Sequence, residues 1–132
     1  MKKLSLVLAL GALAWVLPCG SVEATPLFYA KFEAKYAGAV AKPEFVALVK
    51  ETKCNICHVK DAKSKKERNP FGEALHTAGL DKKNFPKDRV DGMPDAVQKE
   101  VFEFFEKASA VKSPGGMTFG ELIKAGKLPG EK

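Results

Sequence analysis

From Thr25 onward, apolar residues recur along the chain with the period of helices rather than of strands. Phe28, Phe32, Tyr36 and Val40 stand four apart, which predicts a helix from about Pro26 to Lys42 with one apolar side. Pro43 breaks that run or opens the next. Phe45, Leu48, Val49 and Thr52 form a second stripe that leads directly into Cys54. Asn69-Pro70 is a helix start, Asn as cap and Pro in the first turn, and Gly79 supplies the stop. Asp81 to Pro94 is dense in charge, Gly and Pro and reads as a loop. The clearest helix follows. It opens on an Asp95/Gln98 variant of the capping box and carries Val97, Val101, Phe104, Ala108 and Val111, flanked by Phe102 and Phe105. After "SPGG", Thr118 and Glu121 form a regular capping box for a last short helix through Ile123 to Ala125, stopped by Gly126.

No segment reads as a strand, so the expectation is a small all-α domain of about five short helices. That is a thin core for the length. The phenylalanines are numerous, nine in all, and packing on one another is the expected role for most of them. They would also suit a flat apolar cofactor that completes the core.

The first 24 residues read differently. Lys2 and Lys3 precede an apolar run from Leu4 to Leu17, interrupted only by Ser5, and Pro18 and Gly20 end it. Val22 and Ala24 fit a cleavage site after Ala24, so residues 1–24 are expected to be an export signal. The 14-residue run is shorter than the ~20 residues a helix needs to cross a bilayer, so no membrane span is expected to remain after cleavage. A lipid anchor on Cys19 is the weaker reading, because Pro18 stands where a small residue belongs. Loss of this leader leaves residues 25–132, a single domain of 108 residues with 20 basic and 15 acidic side chains, net +5. It also leaves Cys54 and Cys57 as the only cysteines. An exported dithiol is normally oxidised or otherwise occupied.

"CNICH", Cys54 to His58, supplies the occupant. C-x-x-C-H is the attachment signature of c-type haem. Two thiols three residues apart on a helical turn can each reach a vinyl group on one edge of a porphyrin, and the next side chain, His58, can present Nε2 to the iron. Structural zinc normally takes four ligands, and only His58 and His76 could join the cysteines. A redox dithiol of the thioredoxin kind needs a βαβ pattern that is missing here. A plain Cys54–Cys57 disulfide remains the simplest alternative.

From Phe45 through "CNICHVKDAKSKKERNPFG" to "TFGELIKAGKLPG", the chain resembles small exported monohaem cytochrome c proteins of planctomycete bacteria. The resemblance implies a cytochrome c-like helical domain around one covalent haem c, thioethers on Cys54 and Cys57, iron on His58, and periplasmic electron transfer. A looser similarity to class I cytochromes c draws attention to Pro70, twelve residues after His58. In that class a proline carbonyl at this distance accepts a hydrogen bond from the histidine's other nitrogen, which would fix the tautomer of His58. Otherwise Pro70 simply starts a helix.

The sixth iron ligand is less determined. Met117 lies in a Gly-rich loop before the last helix, the order found in class I. His76 falls on the Glu73/Thr77 side of its helix, away from Phe71, Ala74, Leu75 and Ala78, and Met93 sits in "DGMP". Met117 is the leading candidate, His76 the runner-up and Met93 the third; water or an open position is the remaining possibility. Between Lys53 and Arg68 there are six basic and two acidic residues. A cluster of this sign beside a haem edge would steer an acidic redox protein, docking near Lys60 to Arg68. Nucleic acid is discounted, since Lys60 to Asn69 has no aromatic residue and the chain is exported. The sequence therefore predicts a single-electron carrier rather than an enzyme. The alternatives are a haem-based small-ligand sensor or peroxidase-like enzyme with an open sixth position, and a haem-free binding module with a Cys54–Cys57 disulfide.

Overall fold

The computed structural model describes residues 26–64 and 66–130, so the expected export signal lies outside the described residues. The described residues form six helices and one 3₁₀ turn: α1 (Pro26–Tyr36), α2 (Pro43–Thr52), the 3₁₀ turn (Lys53–Ile56), α3 (Pro70–Ala78), α4 (Lys87–Val90), α5 (Asp95–Ser109) and α6 (Phe119–Lys124). The described residues contain no strand, only two isolated antiparallel bridges, His58 with Arg68 and Lys112 with Thr118. The fold is all-α. None of the described helices is long and apolar enough to cross a membrane.

The long helix α5 organises the packing, with α1, α3 and α6 all laid against it. Phe32 of α1 meets Phe71 of α3 and Phe105 of α5 edge-to-face, with ring centres 5.9 and 6.0 Å apart. Phe71 in turn meets Phe119 of α6 at 5.3 Å. All four rings are buried. Each contributes about 1.5–3 kcal/mol by leaving water, and such ring pairs add about 0.5–1.5 kcal/mol. The phenylalanines thus close a core on one another.

Several helix ends follow the expected chemistry. Asn69 caps α3, its side chain accepting the Gly72 N–H at 2.9 Å, and Gly79 ends the helix at φ 115°, a conformation favourable only to glycine. Thr118 and Glu121 complete both halves of the capping box on α6. Other expectations are corrected. α1 stops at Tyr36, short of Lys42, and Val40 is fully exposed, so the fourth residue of the apolar stripe is not in the core. Asp95 caps nothing: Pro94 occupies the cap position without a side-chain bond, and the Gln98 side chain is engaged by Lys31 of α1. On α5 the buried stripe runs Val97, Val101, Phe105 and Ala108; Phe104 is only half-buried, and Val111 lies beyond the helix end, exposed. The segment from Asp81 to Pro94 is no free loop. It contains α4 and sinks Phe85, Val90 and Met93 into the core, with Phe85 bridging Phe28 and Phe104.

Candidate functional site

The end of α2 is redirected at Lys53, whose backbone has φ 49° and ψ −121°. A side chain other than glycine is strained in that region. The bend delivers Cys54 into the 3₁₀ turn. There the Cys54 carbonyl accepts the N–H groups of Cys57 at 3.3 Å and His58 at 3.1 Å. Cys54, Cys57 and His58 thus share one turn closed on one carbonyl, and buried Ile56 roots that turn in the core. Both thiols are free. Cys54 is exposed, whereas Cys57 is partly buried, and burial followed by the charge of Cys54 pushes the Cys57 thiol up to about 12. Tyr29 of α1 lies on the Cys54 side; burial, then Glu33 and Cys54, raise its phenol above the ordinary value.

His58 pairs with Arg68 across the base of the lysine-rich loop. The Glu67 carbonyl accepts the Val59 N–H at 3.1 Å and lies 3.3 Å from His58 Nδ1. In the tautomer protonated on Nδ1, that long N–H···O contact leaves the Nε2 lone pair free for a metal. Pro70, three residues after Glu67, is the first residue of α3, and the carbonyl facing His58 Nδ1 is that of Glu67. Lys60, Lys63 and Lys66 are exposed, and none forms an ion pair with a described carboxylate, whereas Arg68 reaches Glu73 at 3.8 Å.

The turn is tied to α3 by Asn69, which is 7% exposed. Its backbone N–H donates to the Cys57 carbonyl at 3.1 Å. Its side-chain amide donates to the carbonyls of Ile56 at 2.8 Å and Asn55 at 3.1 Å, while the amide oxygen caps α3. Gly72 permits the close approach, since a Cβ there would lie 1.9 Å from the Cys57 carbonyl oxygen. From the far end of the chain, Gly130 covers the same amide: a Cβ on it would stand 2.0 Å from Asn69 Nδ2 and 2.9 Å from the Ile56 oxygen. Leu128 and Pro129, both buried, hold that tail in place.

The three candidates for a sixth ligand differ in setting. Met93, with φ 39°, is buried in the core. His76 is half-exposed on α3, its Nδ1 4.0 Å from Glu73. Met117 is exposed, and its carbonyl accepts the Ser113 N–H at 2.7 Å. Ser113 and Pro114 of the same loop line an open cleft of about 640 Å³ between α3 and the end of α5, together with Pro70, Ala74, Val111 and Phe119. Pro70 joins this cleft to Asn69 and hence to the Cys57 turn. Among the described residues no three or more His, Cys, Asp or Glu side chains are grouped to hold a metal ion. A haem iron requires no such group: the porphyrin supplies four donors, and one imidazole suffices on the protein side. The donor set present, two free thiols and an imidazole on one turn, fits that requirement.

Sequence reasoning singled out Cys54, Cys57 and His58 but saw Asn69 only as a cap and assigned Gly72, Gly130 and Glu67 no role at the turn. A signal existed for one of them. Glycine in the first turn of a helix is disfavoured, and Gly72 stands there because a backbone comes close. No protein-family model, no curated protein and no solved structure matches the chain.

Proposed function

We propose that the protein is an exported c-type cytochrome that carries single electrons between periplasmic redox partners through one covalently bound haem. The observation that carries the reading is the shared turn: two free thiols and an imidazole closed on the Cys54 carbonyl, with His58 Nδ1 facing a backbone oxygen. Cys54 and Cys57 would each add sulfur and hydrogen across a vinyl group, forming two thioethers. His58 would ligate iron through Nε2, oriented by the Glu67 carbonyl. When bound, the haem supplies a one-electron Fe(III)/Fe(II) couple. Met117 would be the further side chain to hold the iron, since its loop lines the cleft that Pro70 also lines and its side chain is not consumed by the core. The exposed Lys60, Lys63 and Lys66 form a positive surface on the loop that begins at His58, suited to an acidic redox protein.

Export of the full chain in cells with haem-maturation machinery tests this directly. The chain should retain haem through a denaturing gel, and Cys54→Ala with Cys57→Ala should lose it. A wild-type chain without bound haem, in cells that mature a control cytochrome, sinks the reading. Ferric and ferrous spectra with and without carbon monoxide then distinguish a six-coordinate carrier from an open site. Met117→Ala should remove the methionine–iron charge-transfer band.

A further inference from the structure

We infer that Asn69 is a positioning residue for the Cys54–His58 turn, forming with Gly72 and Gly130 a polar latch that holds the turn in its strained shape. The inference rests on the haem reading for its purpose, though not for its geometry. At the entry, Lys53 at φ 49° and ψ −121° occupies a region that a lysine leaves unless its surroundings fix it. Capping by Thr52 does not fix it, since that side chain makes no bond at the start of the turn. At the exit, one buried amide holds the turn into which this bend leads. Asn69 holds the Asn55 and Ile56 carbonyls through its side chain and the Cys57 carbonyl through its backbone. Three successive carbonyls of the C-x-x-C segment are therefore pinned to the start of α3.

The neighbours show that the latch is built to close tolerances. Gly72 lets the Cys57 carbonyl approach where any side chain would collide, and Gly130 packs on the amide from the other side. Asn69 is also the α3 cap, so the turn inherits the rigidity of a helix whose Phe71 is fully buried. The "NPFG" and "KLPG" motifs, 58 residues apart at Asn69 and Lys127, thereby meet over the cysteine turn. Only asparagine combines the needed groups at this length: an acceptor for the helix N–H and two N–H donors for the carbonyls.

The test separates latch from cap. Asn69→Ser keeps a good helix cap and loses the two side-chain donations. Asn69→Asp keeps the cap and turns an oxygen towards the two carbonyls. Thr118→Ala, at the α6 cap, serves as a control for lost global stability. In the full chain with haem attached, amide exchange of Cys57 and His58 should accelerate about tenfold in Asn69→Ser. It should accelerate more in Asn69→Asp, and beyond what Thr118→Ala gives at equal loss of melting temperature. The midpoint potential should leave its wild-type value in both Asn69 variants and stay in Thr118→Ala. Exchange and potential that track melting temperature alike in all three variants overturn the latch. Should the wild-type chain carry no haem, the haem reading fails, and the same exchange comparison on the haem-free chain decides whether Asn69 holds the turn.

Discussion

Phe105 and Asn69 are both buried, and they hold this protein together by different physics. Phe105 touches Phe32 and Tyr36 edge-to-face in a core that many apolar groups share. Asn69 instead binds a handful of specific polar atoms, the carbonyls of Asn55 and Ile56 and the N–H of Gly72. Apolar packing is non-directional and distributes its free energy over the whole domain. Hydrogen bonding is directional and fixes one short segment, the turn that bears the cysteines. The core therefore sets whether the chain folds, and the latch sets where three reactive side chains stand.

The largest effect expected from this contrast is at the core. Phe105→Ala should destabilise the domain by about 3–5 kcal/mol, the usual loss for a fully buried phenylalanine. The melting temperature should fall by more than about 10 °C. Below that transition the haem spectrum should keep its wild-type form, because no contact of the cysteine turn has been removed. A variant that melts normally but shows an altered spectrum would reverse the division of labour.

A smaller effect distinguishes the two cysteines in the chain with both thiols free. Burial raises the Cys57 thiol from its ordinary value near 9.0 to about 12. The folded state then holds a proton that the unfolded state releases between those values. Cys57 thus contributes stability that is intact below about pH 9 and is lost as pH rises towards 12. Tyr36, also raised by burial, acts in the same direction. Denaturant titrations should show stability falling above pH 9, by no more than about 1.4 kcal/mol per pH unit for a single proton. Cys57→Ala should flatten that fall, and an unchanged slope would show that the thiol is not buried in solution. At pH 8 an alkylating reagent should modify exposed Cys54 well before Cys57.

The same contrast explains what the sequence made legible. Local chemistry was readable: Asn69 and Gly79 at the ends of α3, and the reciprocal bonds of Thr118 and Glu121, involve residues within a turn of one another. The C-x-x-C-H turn was readable for the same reason. The stripe of α5 was misread by one position because Phe102, Phe104 and Phe105 are equally apolar, and only α1 and α3 decide which ring enters the core. Asp95 had the spacing of a cap, but Lys31 on a different helix took the glutamine it needed. The tie from Asn69 to Asn55 and Ile56 crosses 14 and 13 residues, and that of Gly130 crosses more than 60. Polar contacts of that range leave no period in a sequence.

The smallest expected effect on stability concerns the lysines. Reversing Lys60, Lys63 and Lys66 to Glu should shift stability by less than about 0.5 kcal/mol, since the three are exposed and pair with no described carboxylate. Its effect on docking should be larger, and the molecule supplies its own control. Lys82, Lys83 and Lys87 are also exposed and lie at or shortly before the start of α4. Reversing those three changes the net charge by the same amount elsewhere on the surface. On a carboxylate-coated electrode at low salt, the first variant should exchange electrons with the surface several-fold more slowly than the second. The gap should close near 1 M salt, where screening acts over about 3 Å. Equal losses in the two variants would mean that only total charge matters and that the loop beginning at His58 is no docking surface. A selective loss would assign that role to the segment whose Glu67 carbonyl faces His58 Nδ1, so that the partner would sit on the same short stretch of chain that orients this imidazole.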